Sequence, residues 1–495
     1  MRRDHTLERW ATVGGAILIG GGIFCALVVI YFFYHYTLTG QRQFTSPLAA
    51  FPYYYVPAAL ATLLFAALQF GRNGRINLAI LCASSALSIY AAEVFLTLTD
   101  SASLAGRPLW GDDLRERKYE IQNLARRFGV DFDTRTKLEV VSELRRQGTD
   151  AVPAISPRSL LSKTEKGGLS SPFSVDGKEL LPLGGISNRV TVFCNETGQY
   201  AIYRSDEHGL HNPSGLWRSG VSIAALGDSF TAGGCVSSDK GFVALIRNRY
   251  PATVNLAMAG EGPLMMLAAL KEYGPSIRPK AVLWFYYEES DIKSLREERQ
   301  SRLLMNYLGK EFRQDLVNLQ PAIDRSLSAY VEKAMAQERA PETEDAHGGL
   351  AIAPTLARIA KLSALRQKSG LVLGTQSIEI PSAAEGDIAF FQSVLADAKI
   401  SAAAWGGTVY FVYLPAWHRY GSAQSAPVTG IRHRQSVVAS VESLGIPLID
   451  IVAAFDAHPD PLSLFSFRRF GHYNEEGHGL VADAVLNFFS QSGRG

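Results

Sequence analysis

Three uncharged apolar stretches fill most of the first 100 residues of this 495-residue chain, and they limit what it can fold into more than any other feature. They cover about residues 11–33, 49–70 and 76–98, and only Glu93 in the third is charged. A segment of about 20 apolar residues is long enough to cross the hydrocarbon core of a bilayer. A cleaved signal peptide would explain the first stretch alone, but two more follow it closely. The pattern therefore predicts a membrane anchor over residues 1–100 with three transmembrane helices.

The arginines that flank these stretches predict their orientation, because Lys and Arg are enriched in cytoplasmic loops. Three precede the first stretch and two separate the second from the third, whereas only one lies between the first and the second: Arg2, Arg3 and Arg9; Arg72 and Arg75; and Arg42. We therefore expect the N-terminus in the cytoplasm and everything after about residue 100 outside it. In a cell with two membranes that location is the periplasm. Glu93 lies near the outer end of the third stretch, where a solvated side chain is expected.

Charge and cysteine usage fit an exported domain. The chain has 49 Lys and Arg against 47 Asp and Glu, so its composition gives no sign of a nucleic-acid partner. Cys25 and Cys82 lie inside apolar stretches, which leaves Cys194 and Cys235 as the two cysteines of the exported part. Export permits a disulfide between these two, and a pair of free thiols is the alternative.

Residues 101–220 form a segment that we call the lead-in. Charged helical periodicity predicts two amphipathic helices, at 112–128 and 136–146. A loop-rich part with many Pro, Gly and Ser follows, and two β-type runs at 189–193 and 199–203 predict a hairpin. The lead-in is therefore expected to be helical and loop-rich, with one β-hairpin.

From residue 221 onward, predicted strands alternate with predicted helices, and this alternation is typical of a doubly wound, mainly parallel α/β sheet. The predicted strands are 221–226, 253–257, 281–286, 408–414 and 447–451, and the predicted helices are 241–249, 264–273, 390–404, 434–444 and 476–489. The run at 281–286 lacks polar alternation, as expected of a strand buried on both faces. A helical insertion at about 294–370 interrupts this domain, which extends from 221 to 495. The charges of the insertion suit solvated helix faces, and a capping or partner-binding role is the alternative.

A serine stands at the end of the first predicted strand of this domain. The apolar run 224–226 ends in Gly227-Asp228-Ser229. A strand-to-helix turn at the carboxyl edge of an α/β sheet exposes such a hydroxyl, which is where α/β enzymes place a nucleophile. A histidine, His472, follows much later, just before the last predicted helix. Together the two residues indicate a nucleophile and its general base.

Around these residues the sequence resembles the SGNH/GDSL hydrolases, over about residues 220–300 and 405–490. The resemblance implies an SGNH hydrolase-like sheet of the flavodoxin-like kind. It also implies that Ser229 is the nucleophile and that His472 is the general base.

The same resemblance implies the groups that hold the developing oxyanion. The backbone N–H of Ser229 is one donor and Gly260 supplies a second, in a turn where a Cβ would obstruct the oxyanion. The family's third donor is an Asn side chain, and Ser290 occupies that position here. A serine hydroxyl can also donate a hydrogen bond, but its side chain is shorter than that of Asn.

The acid that usually orients the histidine is missing from its family position. The residues two and three positions before His472 are Phe470 and Arg469, where the family has Asp. Asp460 or Asp456 could supply the carboxylate from the preceding loop, and a Ser–His dyad supported by a backbone carbonyl is the alternative. The spacing between His472 and the next histidine does not match a zinc-binding helix, so neither a metal nor a cofactor is expected.

These observations favour an exported, membrane-anchored serine esterase acting on O-acyl esters, such as those of cell-surface polysaccharide. Two alternatives remain. The same acyl-enzyme could pass its acyl group to a sugar hydroxyl, as exported relatives of the SGNH enzymes do with a multi-span acyl-transfer partner. The replaced Asn and the missing Asp also fit an SGNH scaffold without catalysis. The expected partners are thus a membrane and an ester or glycan substrate. The transferase would also need the multi-span acyl-transfer partner.

Overall fold

The computed structural model describes residues 2–34, 47–104, 124–164, 167–218, 220–339, 385–421, 429–469 and 471–491, with the single positions 359, 362 and 365. The chain divides into two compact units. The first unit joins Met1–Arg107 with Glu338–Pro381, and the second joins Pro108–Gln337 with Ser382–Gly495. The second unit therefore contains the lead-in from residue 108 onward and the sheet domain without residues 338–381.

The first unit contains three helices: α1 (Arg2–Phe33), α2 (Pro47–Ala66) and α3 (Arg72–Leu104). Among the described residues, two helical segments are long and apolar enough to cross a membrane, Glu8–Phe33 and Arg72–Leu96. The prediction of three such helices was wrong for the second stretch. The apolar helix found there, Tyr53–Gln69, is shorter than these two segments and ends in a 3₁₀ turn.

Glu93 on α3 is buried, contrary to the expectation of a solvated side chain. Its carboxylate accepts a hydrogen bond from the backbone N–H of Leu365, at 2.7 Å. Leu365 belongs to the insertion, part of which is grouped with the N-terminal helices in this unit. A hydrogen bond of this kind offsets part of the cost of burying a carboxylate.

The described part of the lead-in begins at residue 124, so most of the predicted helix at 112–128 lies outside the described residues. Helix α4 (Lys137–Arg146) starts at the N-cap Thr136, which forms a reciprocal capping box with Glu139. Such a cap stabilises a helix by about 1 kcal/mol. The strands of the lead-in are short: β1 (Ala151–Pro153), β2 (Ser162–Lys163), β3 (Leu169–Ser170), β4 (Phe173–Val175), β5 (Lys178–Leu180), β6 (Val190–Val192) and β7 (Ile202–Arg204).

Strands β6 and β7 pair antiparallel, and β1 adds to β6 in parallel to make a three-stranded sheet. The turn between β6 and β7 includes residues 195–198. The remaining short strands form two antiparallel ribbons, β2 with β3 and β4 with β5. The described part of the lead-in is therefore mostly short β-structure, with α4 packed against β1 and β6.

The central sheet has five parallel strands, and the prediction of an α/β fold with a parallel sheet is confirmed. The strands are β8 (Ile223–Leu226), β9 (Thr253–Asn255), β10 (Ala281–Tyr287), β11 (Thr408–Leu414) and β12 (Leu448–Asp450). Their spatial order is β12-β11-β10-β8-β9. If the five strands are counted along the chain, this is the flavodoxin-like order 2-1-3-4-5, which reverses direction between β8 and β10.

Helices cover both faces of this sheet, which is why its strands are mostly apolar. Alternate residues of β10 enter two different cores: Trp284 lies in one and Phe285 in the other. The helices are α5 (Phe242–Arg249), α6 (Pro263–Ile277), α7 (Asp291–Glu298), α8 (Arg302–Met305), α9 (Leu316–Arg339), α10 (Glu385–Ala403), α11 (His418–Gly421), α12 (Thr429–Ser443), α13 (Ile451–Asp456) and α14 (Glu475–Gln491). Burial on both faces matches the composition of parallel strands.

Helix α9, from the connection between β10 and β11, binds the lead-in. Asp324 on this helix accepts hydrogen bonds from the backbone N–H of Ser187 at 2.9 Å and from its hydroxyl at 2.6 Å. Glu332 pairs with Arg145 of α4 at 2.7 Å. The lead-in therefore contacts α9 as well as the loops of the sheet described below.

Candidate active site

Ser229 stands in the turn that follows β8, at the point where the strand order reverses. The carboxylate of Asp228 accepts a hydrogen bond from the N–H of Phe230 at 3.0 Å, and the carbonyl of Ser229 accepts one from the N–H of Gly234 at 2.8 Å. These bonds fix the turn that presents the Ser229 hydroxyl. In open parallel sheets, ligands bind at the carboxyl edge beside this reversal.

The three predicted site residues that follow β8, β9 and β10 are Ser229, Gly260 and Ser290, and parallel pairing places the carboxyl ends of these strands at one edge of the sheet. A direct bond links the first two loops, because the side-chain amide of Asn255 donates to the carbonyl of Thr231 at 2.8 Å. The edge therefore gathers segments that are far apart in the sequence.

His472 comes from the loop before α14 and reaches the same turn. Its Nε2 lies 2.7 Å from the Ser229 hydroxyl oxygen, within hydrogen-bonding distance. The imidazole packs beside the ring of Phe230, with 4.7 Å between ring centroids. The structure thus brings together the two residues that the sequence predicted as nucleophile and base.

A carboxylate from the lead-in holds the other side of this imidazole. Glu196, in the turn between β6 and β7, places one carboxylate oxygen 3.1 Å from Nδ1 of His472. Its second oxygen accepts the backbone N–H of His472 at 2.7 Å. A Cβ on Gly471 would lie 2.5 Å from that oxygen, so the approach of Glu196 requires glycine there. Ser229, His472 and Glu196 therefore form a continuous hydrogen-bonded chain.

Glu196 corrects the prediction that Asp460 or Asp456 orients the histidine. Asp460 instead pairs with Arg468, whose Nη2 donates to it at 2.9 Å. Asp456 accepts the hydroxyl of Tyr420 at 3.0 Å. Both aspartates are thus engaged with other partners, and the carboxylate found at Nδ1 of His472 belongs to Glu196.

The environment of His472 raises its pKa above the ordinary 6.5. Burial alone would lower the pKa, but the charge of Glu196 and its hydrogen bond outweigh burial, and Asp228 adds a further contribution. Burial also raises the pKa of Asp228, to about 6. The carboxylates around the imidazole therefore favour its protonated form, which is the form that a general base reaches after it accepts a proton.

Gly260 lies in a turn with φ of +79°, a backbone conformation that favours glycine. The lead-in also holds this turn, because the hydroxyl of Ser156 donates to the carbonyl of Ala259 at 2.6 Å. A Cβ on Gly260 would lie 2.5 Å from that hydroxyl oxygen. Ser290 is the N-cap residue of α7, and its hydroxyl lies 3.4 Å from the Asp291 carboxylate, a long hydrogen bond.

Two other acids at this edge, Glu288 and Glu289, are paired with residues that follow β11. Glu288 is buried and accepts hydrogen bonds from the Arg419 guanidinium and from the backbone of Ala416. Glu289 lies 3.1 Å from Nδ1 of His418. These pairs link the loops after β10 and β11.

A disulfide joins Cys194 to Cys235, with 4.9 Å between their Cα atoms. Ligand atoms of Cys235, His472 and Glu196 lie within 4.8 Å of one another, a spacing that a metal ion could bridge. A metal binds cysteine as the thiolate, and the Cys235 sulfur is instead bonded to Cys194. The oxidised donor set therefore does not fit a metal.

Sequence reasoning missed Glu196, Ser156 and the rest of the lead-in contribution. The signal available for Glu196 was indirect: it lies two residues after Cys194, whose predicted partner Cys235 follows Ser229 by six residues. A disulfide between those cysteines would bring residues 195–198 close to the loop after Ser229.

No protein-family model matches the chain, and no curated protein does. The chain is similar to several solved structures. One is a lipolytic protein of the G-D-S-L family from Desulfitobacterium hafniense DCB-2, with 12% identity, 54% of this chain and 98% of that chain covered, and a TM-score of 0.29. A lipase/acylhydrolase from Enterococcus faecalis has 15% identity, covers 55% and 97%, and has a TM-score of 0.29. An acetyl xylan esterase, AlAXEase, has 11% identity, covers 54% and 99%, and has a TM-score of 0.28.

Proposed function

We propose that this protein is a membrane-anchored, exported serine esterase that hydrolyses O-acyl esters. The observation that carries the proposal is the chain of contacts from the Ser229 hydroxyl through His472 to Glu196, at 2.7 Å and 3.1 Å. A nucleophile, a base and an orienting acid in this sequence are the requirements for acyl transfer to a serine.

In the proposed reaction, Ser229 Oγ attacks the ester carbonyl carbon while Nε2 of His472 accepts the hydroxyl proton. The ester C–O bond then breaks, and His472 returns that proton to the leaving alcohol, which leaves an acyl-enzyme on Ser229. Water attacks the acyl-enzyme with His472 again as base, which releases the acid and restores the serine. Glu196 stabilises the imidazolium that forms in each half-reaction.

The oxyanion would be held by the backbone N–H groups of Ser229 and Gly260, with the Ser290 hydroxyl as a third donor. Ser290 gives the weakest support, because its hydroxyl already lies 3.4 Å from the Asp291 carboxylate. Removing one such donor from a serine hydrolase costs about 10²–10³ in kcat. We therefore expect a functional but modest esterase.

An extracytoplasmic location is part of this proposal. It is supported by the disulfide, by the two long apolar helical segments and by the arginines placed around them. There the substrates would be O-acyl groups on cell-surface or exported polysaccharide. Release of acetate from an acetylated glycan, compared with release from a chromogenic acetate ester, tests this substrate class.

A fluorophosphonate probe tests the catalytic proposal directly, since it reacts only with an activated serine. We expect the full-length protein to be labelled and Ser229→Ala to lose all labelling. Ser237→Ala, which changes an exposed serine on the same loop, is the matched control and should label like the unmodified protein. An unlabelled parent protein would reject the esterase and favour a scaffold without catalysis.

The acyl-enzyme is shared with the transferase alternative, which differs only in the acceptor. Adding a glycan acceptor to the ester assay separates the two, because a transferase diverts acyl groups from water to the sugar. If the acceptor leaves the yield of free acid unchanged, hydrolysis stands. If acylated glycan accumulates instead, the protein is a transferase.

A further inference from the structure

We propose that Cys194 and Cys235 are positioning residues for the general base: their disulfide holds Glu196 against His472, so the esterase is fully active only in its oxidised form. This inference rests on the proposed function. The covalent step is the reduction of the disulfide by a dithiol, which gives two cysteine thiols and the oxidised cyclic disulfide of the reagent. The two hydrogens of the dithiol end on the cysteine sulfurs.

The first observation is that a residue before Glu196 and a residue after it both bind Cys235. Cys194, two residues before Glu196, forms the disulfide with it. Thr197, one residue after Glu196, donates its hydroxyl to the Cys235 carbonyl at 3.0 Å. The short turn that presents the carboxylate is therefore fastened at both flanks to one residue of the loop after Ser229.

The second observation is that this same residue touches the base. The Cys235 sulfur lies 3.6 Å from Nδ1 of His472, the atom that faces Glu196. The neighbouring Gly234 is so close to the imidazole that a Cβ there would lie 2.8 Å from Cδ2 of His472. A displacement of Cys235 would consequently disturb the contact between the Glu196 carboxylate and the imidazole.

The third observation concerns what else holds the turn. Asn195 closes it locally by accepting the N–H of Gly198 at 2.9 Å, and its amide donates to the carbonyl of Asp133 at 3.1 Å. These bonds keep the turn folded on the lead-in, but they do not attach it to the loop after Ser229. The tip of the turn is attached to the loop after Ser229 by the disulfide, by Thr197 and by the contact of Glu196 with His472. The hairpin strands that flank the tip are held separately, because Phe193 and Tyr203 pack in one buried cluster with Ala232 of that loop.

Reduction should therefore leave the turn intact but free it to move relative to Ser229. A displacement of about 1 Å in a catalytic group can cost about 10²-fold in rate, so we expect kcat to fall by about 10–100-fold. A weaker contact with Glu196 should also lower the pKa of His472, because burial alone lowers it. The acidic limb of the pH–rate profile should then move to lower pH.

The experiment uses the full-length protein in detergent with p-nitrophenyl acetate. It compares the oxidised protein, the protein reduced with dithiothreitol and the double variant Cys194→Ser with Cys235→Ser. We expect the last two to lose activity alike and to share the shifted acidic limb, and reoxidation should restore the reduced protein. The double variant Cys25→Ser with Cys82→Ser, which removes the two free cysteines, is the matched control and should respond to dithiothreitol like the parent.

A second comparison separates positioning from a general loss of structure. In Glu196→Gln the carboxylate is already lost, so reduction should change kcat by less than about threefold. Thr197→Val, which removes only the hydroxyl that donates to Cys235, should lower kcat by about threefold to tenfold in the oxidised protein. Equal losses on reduction with and without the Glu196 carboxylate, or no loss in either, would overturn the proposal.

A readout without turnover keeps the two proposals distinct. In Ser229→Ala, which has no nucleophile, NMR titration of the His472 ring should show its pKa fall on reduction. If the oxidised protein proves inactive towards esters but this pKa still falls, the proposed function fails and the positioning by the disulfide stands. If the protein is active towards esters and the pKa of His472 does not change on reduction, the proposed function stands and the positioning by the disulfide is rejected.

Discussion

The two regions that build the candidate site differ in how they supply its residues. The sheet domain contributes Ser229 from the turn after β8 and His472 from the loop before α14, both at the carboxyl edge of a parallel sheet. The lead-in contributes Glu196 from a hairpin turn outside that sheet. The sheet thus positions the proposed nucleophile and base, whereas the carboxylate beside the histidine comes from outside the sheet.

The largest expected effect tests the sheet half of this comparison. His472→Ala removes the base and should lower kcat on p-nitrophenyl acetate by about 10⁶-fold, because nucleophile and base act as one unit. The matched control is His458→Ala, which changes a histidine that lies 3.3 Å from Glu476. The control should keep near-parent activity, and an equal loss in both variants would remove His472 from the mechanism.

The second effect tests the lead-in half. Glu196→Gln keeps the shape of the side chain but loses the charge that stabilises the imidazolium, so kcat should fall by about 10³–10⁴-fold. Asp460→Asn and Asp456→Asn change the acids that pair with Arg468 and Tyr420, and both should stay within about twofold of the parent. A large loss in either Asp variant, with Glu196→Gln active, would return the orienting role to the sheet domain.

The pH dependence of kcat/KM tests the contact between His472 of the sheet domain and Glu196 of the lead-in. Catalysis needs neutral His472, so kcat/KM should fall as the pH drops through the pKa of His472, which lies above 6.5 in this site. Without the Glu196 charge, burial prevails and lowers that pKa, so the acidic limb of Glu196→Gln should move to lower pH. Measured profiles of the parent and the variant that coincide would contradict the assignment of Glu196.

The smallest effect concerns the second contact of the lead-in with the site. Ser156→Ala leaves the Ala259 carbonyl without its hydroxyl donor and should loosen the Gly260 turn, which lowers kcat by about fivefold. Ser159→Ala is the matched control, because its hydroxyl bonds within the lead-in, to the Ser156 carbonyl at 2.7 Å. If the two variants lose activity equally, the effect reflects the stability of the lead-in and not the turn.

Much of the sheet could be predicted because its longer strands are mostly apolar. The run ending at Tyr287 is buried at every position, and such a run has few alternatives to a central parallel strand. Ser229 and His472 could be predicted because Ser229 follows a predicted strand and His472 precedes a predicted helix. Glu196 could not, because residues 195–198 have the composition of an ordinary hairpin turn and the contact with His472 spans 276 residues.

The shorter apolar helix of the first unit escaped prediction for a related reason. Hydropathy measures composition, and the stretch at 49–70 is uncharged, but composition does not show where the α-helix ends and the 3₁₀ turn Ala67–Gln69 begins. The burial of Glu93 likewise depends on Leu365 of the insertion. Contacts of this kind come from tertiary structure, which a local pattern does not contain.

The sequence distances inside the hydrogen-bonded chain also govern when it can form. Ser229 and His472 are separated by 243 residues, and closing such a long loop is slow because the entropy must be lost before the contact forms. During synthesis the lead-in and β8 emerge long before α14. Ser229 therefore has no His472 beside it until the last helix has been made, and the proposed chemistry can begin only then.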